Sequence, residues 1–164
     1  MAYEKTSVAV ERSQGELRKL LRAHGAEAFQ FSEGTKFGKT WAAIEFAHQG
    51  RRVRMLAPYS EPDMAAIQKK ARNARTKTFE DFLEAEREQE AKRIWRVIFH
   101  SLKARMVAVE EGLETLEEAF LAHLVNEATN RTVYQELSDS GKVELAGPLP
   151  SLAIESGERL KEDG

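Results

Sequence analysis

Two stretches of this chain carry residues whose types and spacing could do chemistry. The first is the segment 34–40 (GTKFGKT), which ends in Gly-Lys-Thr as a phosphate-binding loop does. Such a loop has four residues between its first glycine and the Gly-Lys pair, so that successive backbone N–H groups surround the phosphates. Here only three residues separate Gly34 from Gly38, and Glu33 stands where the first glycine would be. The pattern therefore favours a glycine-containing hairpin loop, with a nucleotide site as the alternative.

The second stretch is a block of cations. Residues 51–77 carry eight Lys and Arg against two acids, whereas residues 80–90 carry six acids against one Arg. The net charge is only −2, so a local basic block points to a polyanionic partner rather than to overall charge. We predict nucleic-acid binding, in which cations neutralise phosphates and aromatic rings stack on single-stranded bases. The predicted site comprises Arg51, Arg52, Arg54, Lys69, Lys70, Arg72, Arg75, Lys77, Trp41 and Tyr59, with Phe37 as a further candidate ring.

The basic block also has an interpretation that needs no nucleic acid. It could pair with the acidic segment 80–90, either within one protomer or between subunits. The apolar stripe of a long helix over 79–111 could likewise meet a second copy or another protein. The alternative function is therefore a protein–protein interaction or oligomerisation module without enzymatic activity.

Other chemistries find little support in the sequence. The chain has no cysteine, which excludes thiolate ligands and thiol nucleophiles, and its four histidines lack metal-ligand spacing. Runs of glutamate on a helix are typical of a solvated face. We therefore expect no enzyme, no metal and no cofactor. Without a signal-peptide pattern or a run of about 18 apolar residues, we expect a cytoplasmic protein that does not contact a membrane.

The elements that must position these residues predict an α+β fold. A short strand over 6–10 precedes a helix that begins at Ser13, where Ser13 and Glu16 have the spacing of a capping box. Alternating segments 28–32, 40–48 and 51–59 predict a three-stranded antiparallel meander with a Gln49-Gly50 hairpin turn. A long helix covers this sheet over 79–111, and a second capping box at Thr115 opens a short helix. One more turn is predicted at 132–137.

We predict a single α+β domain over residues 1–135, followed by a largely irregular tail over 136–164. Within the domain, 1–59 forms the sheet part, 60–77 a basic loop and 78–135 the helical part. Asp63 could instead cap a short helix through Ile67 in the basic segment.

Three segments together resemble a widespread set of uncharacterised proteins encoded by bacteriophages and prophages. They are the opening residues 3–31, the segment 46–58 (FAHQGRRVRMLAP) and the helical stretch 87–125 (REQEAKRIWRVIFHSLKARMVAVEEGLETLEEAFLAHLV). The resemblance covers about residues 3–135 in the same order. It implies a phage origin, a small mixed α/β fold and location in the host cytoplasm. Together with the basic block, it leads us to expect an accessory protein of replication or recombination that binds single-stranded DNA with little sequence preference.

Overall fold

The computed structural model describes residues 1–36 and 38–141, and it has the predicted α+β fold. A three-stranded antiparallel sheet packs against α1 and the long helix α3, and smaller elements follow at the C-terminal side. The helices and strands are α1 (Val10–Ala23), β1 (Ala28–Lys36), β2 (Lys39–His48), β3 (Arg51–Pro58), α2 (Met64–Asn73), α3 (Phe79–Glu110), α4 (Leu116–Phe120), β4 (Val125–Asn126), β5 (Arg131–Thr132) and α5 (Val133–Ser140).

The sheet is a meander in the order β1-β2-β3, joined by two hairpins. Gln49 and Gly50 both have positive φ, +50° and +70°, as a two-residue hairpin turn of this twist requires. The predicted turn at these residues is confirmed. β1 is longer than the sequence indicates, because it continues past Ser32 to Lys36 in register with β2.

Segment 34–40 lies in this sheet rather than in a phosphate-binding loop. Gly34 pairs with Trp41 and Lys36 with Lys39, so strands stand on both sides of the turn. A phosphate-binding loop instead leads from a strand into a helix whose first turn faces the phosphates. The hairpin interpretation of this segment is confirmed.

The predicted start of α1 is wrong, and so is the strand over 6–10. The helix begins at Val10, with Ala9 as its N-cap and without a side-chain cap. Ser13 is therefore inside the helix and fully buried, and its hydroxyl has no hydrogen-bond partner among the described residues. The helix gains a turn because Val10 packs against the core, and this contact outweighs the local capping signal. Residues 1–9 are irregular, and Gln89 of α3 donates hydrogen bonds to two of their carbonyl groups.

The core lies between the inner face of the sheet and the helices α1 and α3. Its largest fully buried side chains include Trp95 of α3, Phe46 of β2, and Phe120 of α4, which meets Phe46 edge to face at 5.5 Å. Trp95 and Ile98 are 0% and 3% exposed, so they face the sheet and are closed to a partner.

The apolar stripe of α3 has different packing partners along the length of the helix. Ile94, Ile98, Leu102 and Met106 are buried against the sheet. Phe79 and Leu83 are half-buried in the part of the helix that precedes them. At 100° per residue Leu83 and Phe79 lie about 20° and 60° around the axis from Ile94, the first residue of that group, so the apolar stripe is continuous along the helix. α2 packs on the N-terminal part of α3, and its Lys70 forms an ion pair with Glu86 there.

The basic segment 60–77 contains a helix, which decides between the two structures predicted for it. Asp63 caps α2 by accepting a hydrogen bond from the Ala66 N–H at 3.0 Å. Ile67 is 1% exposed and is the buried residue of the helix. α2 and the beginning of α3 form a helical pair connected by residues 74–78.

The C-terminal elements follow the predicted signals in part. Thr115 and Glu118 form the expected capping box of α4. Thr132 and Gln135 form another for α5, which extends to Ser140 and so into the segment predicted to be irregular. Residues 142–164 of the predicted tail lie outside the described residues. In the described part of the chain, no helix combines the length and the apolar composition that a membrane crossing requires.

Candidate nucleic-acid interface

The predicted cations fall into two groups at different places in the fold. Arg51, Arg52 and Arg54 lie at the start of β3, next to the turn at Gly50. Lys69, Lys70 and Arg72 lie on α2, which begins beyond the other end of that strand. β3 spans eight residues, or roughly 25 Å at about 3.3 Å per residue. The sheet therefore separates the two groups, and they do not form one continuous surface.

The strand group is engaged in contacts within the protein. Arg54 Nε donates to Glu45 Oε2 at 2.6 Å, and Arg52 Nε lies 3.6 Å from Glu45 Oε1. Both guanidinium groups also donate to the Asn130 side chain, which belongs to the turn between β4 and β5. Arg54 Nη1 adds a hydrogen bond to the Asn130 carbonyl at 2.9 Å. The arginines that are predicted to meet phosphates thus hold a hairpin against the sheet.

Two further predicted cations form exposed ion pairs. Arg51 Nε lies 3.1 Å from Glu117 Oε1, and Lys70 Nζ lies 2.7 Å from Glu86 Oε1. The Lys70 pair joins α2 to the acidic part of α3, as the alternative interpretation of the basic block expects. It is the one ion pair between the two segments among the described residues. Exposed pairs of this kind contribute little to stability.

The remaining four cations form an open surface, which we call the α2 basic face and define as Lys69, Arg72, Arg75 and Lys77. All four residues are exposed, and none forms a hydrogen bond or an ion pair within the described part of the chain. On the helix, Lys69 and Arg72 lie about 160° and 140° around the axis from the buried Ile67. Arg75 and Lys77 are exposed in the connection to α3, where Lys77 Nζ is 5.9 Å from the Phe82 ring centroid of that helix.

The surroundings of the α2 basic face are acidic on one side. Glu80, Asp81 and Glu84 are exposed on the first turns of α3. Asp81 is committed to the capping box of that helix, where the backbone and side chain of Thr78 lower its carboxyl pKa. A polyanion would therefore approach from the α2 side, away from these carboxylates.

The two predicted aromatic platforms lie elsewhere. Trp41 is on the outer face of the sheet, the same face as Arg52 and Arg54, and its ring covers Gly34 on the neighbouring strand. A Cβ atom at Gly34 would come within 2.7 Å of Trp41 Cζ2, so glycine is required for this close approach. Phe37 lies outside the described residues.

The Tyr59 hydroxyl is bound by the carboxylate of Glu33, which lies in β1 just beyond the strand that the sequence predicts. The hydroxyl donates to Glu33 Oε1 at 2.7 Å, and the indole N–H of Trp95 donates to the same oxygen at 2.6 Å. Burial, together with the hydrogen bond to Glu33 and its charge, raises the pKa of Tyr59 well above its ordinary value. The ring is therefore part of the packing between β1, β3 and α3 rather than an open stacking surface.

A groove of about 430 Å³ lies beside this network. It runs between the N-terminal segment, the connection 59–63 and the N-terminal half of α3. Within it, Glu90 and Arg93 form a two-bond ion pair at 2.7 Å, and Glu90 also accepts from the Ser60 N–H at 2.7 Å. Burial would raise the pKa of Glu90, but these bonds outweigh it and lower the pKa. The same contacts fix the end of β3 to α3.

The described residues contain no cluster of three or more His, Asp or Glu side chains that could hold a metal ion. His24 and His48 do line one cleft, where His24 Nδ1 is 3.6 Å from Glu110 Oε2 and His48 Nδ1 is 3.2 Å from the Gly25 carbonyl oxygen. Each histidine already has a contact within the protein.

Sequence reasoning missed three residues that organise this region: Glu33, Glu45 and Asn130. For Glu45 a signal existed, since the Gln49-Gly50 turn sets a register that places Glu45 opposite Arg54. Asn130 had none, because it lies 76 positions from Arg54 along the chain.

Comparison of this chain with protein-family models, with curated proteins and with solved structures finds no match. The fold itself defines the class of protein: an α+β domain with a three-stranded meander and a helical pair.

Proposed function

We infer that this protein binds nucleic acid through the α2 basic face. The observation that carries the proposal is the separation of paired from unpaired cations. Arg51, Arg52, Arg54 and Lys70 form ion pairs with carboxylates, whereas Lys69, Arg72 and Arg75 are exposed without such partners in the described part of the chain. Lys77 is also exposed and forms no ion pair within the described residues, although its charge helps to lower the pKa of Asp81. Cations without an internal counter-charge are the ones that can release the counterions of a polyanion.

The mode of binding follows from what adjoins the face. Lys69 and Arg72 are one turn apart on a helix whose opposite side is fixed to α3. They can contact backbone phosphates, which position a protein on nucleic acid without reading its sequence. Neither Trp41 nor Tyr59 lies on α2, so the proposal rests on phosphate contacts and does not include base stacking. Sequence-tolerant binding of this kind suits an accessory role in replication or recombination, which the basic block and the resemblance to phage-encoded proteins together lead us to expect.

The test compares two variants with the same change of net charge. Lys69→Glu with Arg72→Glu reverses two cations of the α2 basic face. Lys5→Glu with Lys19→Glu reverses two exposed cations on the N-terminal segment and α1. Fluorescence anisotropy of a labelled 30-mer, both single-stranded and duplex, is measured from low to moderate salt with each protein.

We expect the wild type to bind with an affinity that falls steeply with salt, and the α2 variant to lose most binding. Its slope of log K against log salt should be smaller by about two, one per lost phosphate contact. The control variant, Lys5→Glu with Lys19→Glu, should keep the wild-type slope. Equal losses in both variants would show only a general charge effect, and no binding of the wild type at low salt would refute the proposal.

The alternative function, a protein–protein module that uses residues 79–111, has less support. Its central apolar residues are buried against the sheet, and Val107 is the one large hydrophobic side chain of α3 that is exposed, at 41%. A helix needs a continuous apolar seam to pair with another helix. Association with a partner is better sought on a different element.

A further inference from the structure

The two edges of the main sheet differ in their protection. β3 is flanked by the β4–β5 hairpin, with Leu124 bridging to Val53, and it ends in Pro58. β1 has neither a flanking hairpin nor a proline: it runs for nine residues and pairs with β2 in unbroken register. Exposed, regular edge strands are places where another strand can pair, and proteins usually shield them.

The backbone groups on the open edge of β1 can be identified from the hairpin. A two-residue turn closes on a hydrogen-bonded pair, here residues 36 and 39, and such pairs then alternate along the ladder. The N–H and C=O groups of residues 29, 31, 33 and 35 therefore point away from β2. No backbone group from another element of the described chain bonds to them. The strand is about 30 Å long at roughly 3.4 Å per residue, so this is an extended row of unpaired groups.

We propose that a second copy of this chain pairs with β1 through its own β1, antiparallel, to form a continuous six-stranded sheet. The two-fold axis passes Phe31, so that Phe31 faces Phe31 of the second copy. Gln30 then lies opposite Ser32, and Ala28 opposite Gly34. Among the paired strand residues this register places no like charges opposite each other, whereas an axis at Glu33 would set two carboxylates together, which is unfavourable. The two Arg18 guanidinium groups, each 5.0 Å from a Phe31 ring centroid, come near each other at the axis and oppose the pairing.

Charge complementarity supports the same partner. The register brings Glu33 of one copy opposite Phe29 of the other, and the Arg22 guanidinium lies 5.7 Å from the centroid of that Phe29 ring. Both internal donors to Glu33, Tyr59 and Trp95, bind its Oε1 atom. Its Oε2 atom is left to accept from Arg22 of the second copy. The two-fold axis produces this pair twice, and a foreign strand would need a cation at the matching position to reproduce it.

The register can be tested with two variants that differ only at residue 32. Gln30 and Ser32 are exposed on the outer face of the sheet. Gln30→Lys with Ser32→Lys places lysines opposite each other across the interface, whereas Gln30→Lys with Ser32→Glu places a lysine opposite a glutamate. In both variants the lysine introduced at position 30 faces Glu45 within its own protomer, so their folding should be alike. Sedimentation equilibrium of the full chain gives the dimer dissociation constant of each protein.

We expect the wild type to form a dimer. In the variant with two lysines the dissociation constant should rise at least tenfold. The variant with lysine and glutamate should associate as tightly as the wild type or more tightly. Hydrogen exchange of the amides of residues 29, 31, 33 and 35 should slow as protein concentration rises. A wild-type monomer at millimolar concentration would overturn the proposal. So would equal dissociation constants for the two variants, which would place the interface elsewhere. Protection of these amides in a sample that sediments as a monomer would show that the edge is covered within one protomer.

Discussion

Arg54 clasps Asn130 with two hydrogen bonds, from Nη1 to the carbonyl at 2.9 Å and from Nη2 to Oδ1 at 3.0 Å. Asn130 has a positive φ of +54°, a conformation that asparagine tolerates in a turn. The arginine also neutralises Glu45, whose side chain is only 18% exposed. One side chain on β3 thus fixes both a carboxylate on β2 and the hairpin that follows α4.

Replacing Arg54 with Ala should lower the free energy of unfolding by about 1–3 kcal/mol, because Glu45 loses its closer charged donor and the Asn130 turn loses two hydrogen bonds. Arg51→Ala serves as the control, since its pair with Glu117 is exposed and should contribute less than about 1 kcal/mol. Urea denaturation of the three proteins measures both changes. Equal effects at the two positions would show that the contacts of Arg54 with Glu45 and Asn130 do not contribute more than an exposed ion pair.

Glu33→Ala should destabilise the protein and lower the pKa of Tyr59. The substitution leaves the fully buried Trp95 without a partner for its indole N–H, at a cost of about 1–3 kcal/mol. The pKa of Tyr59 should fall but remain above its ordinary value, because burial is the largest cause of its rise and Glu33 only the next. Ultraviolet absorption of tyrosinate during an alkaline titration measures the change.

Glu33→Gln separates the two effects. The amide oxygen can still accept from Trp95, so stability should be closer to that of the wild type, whereas the lost negative charge should still lower the pKa of Tyr59. A Tyr59 titration that is the same in all three proteins would show that Glu33 does not control this hydroxyl.

Stability should fall as the pH is lowered from 7.5 to 5.5. Burial, and then the charge of Arg105, lowers the pKa of His123, while burial and the charges of Arg96 and Lys103 lower that of His100. The unfolded chain therefore binds protons more readily at these positions than the folded protein does. The contribution of the two histidines to stability is complete above their unfolded-state pKa near 6.5. It is lost as the pH falls toward their lower pKa values in the folded protein.

The free energy of unfolding from urea denaturation at several pH values tests this dependence. His123→Gln combined with His100→Gln should flatten the decline between pH 7.5 and 5.5, whatever its effect on absolute stability. Carboxylates act in a lower range: the hydrogen bond from Arg96 lowers the pKa of Glu16, so its contribution is lost only as pH falls below about 4.5. An unchanged decline in the double variant would assign it to other groups.

Local signals predicted the elements whose causes are local. The capping box at Thr115, the Gln49-Gly50 turn and the start of α3 near Phe79 all depend on residues within four positions of each other. The alternation of β2 and β3 likewise predicted which residues share a face, because side chains in a strand point to opposite sides in turn.

The same local reasoning failed where a distant contact competes with it. Ser13 has the sequence of an N-cap, but the core contact of Val10 extends α1 by a turn and buries the serine. The stripe along α3 looks continuous in the sequence, although its N-terminal part packs on α2 and its C-terminal part on the sheet. Periodicity shows that a face is apolar and leaves open what covers it.

By itself, then, the sequence determined the α+β class, the meander, the long helix and the segregation of cations into residues 51–77. Only the tertiary structure decided which of those cations are open to a ligand. Arg51 finds Glu117 66 positions away, and Arg54 finds Asn130 76 positions away. Ion pairs and hydrogen bonds depend on distance in space, which local patterns do not encode, so the partners of these arginines appear only when the chain is folded.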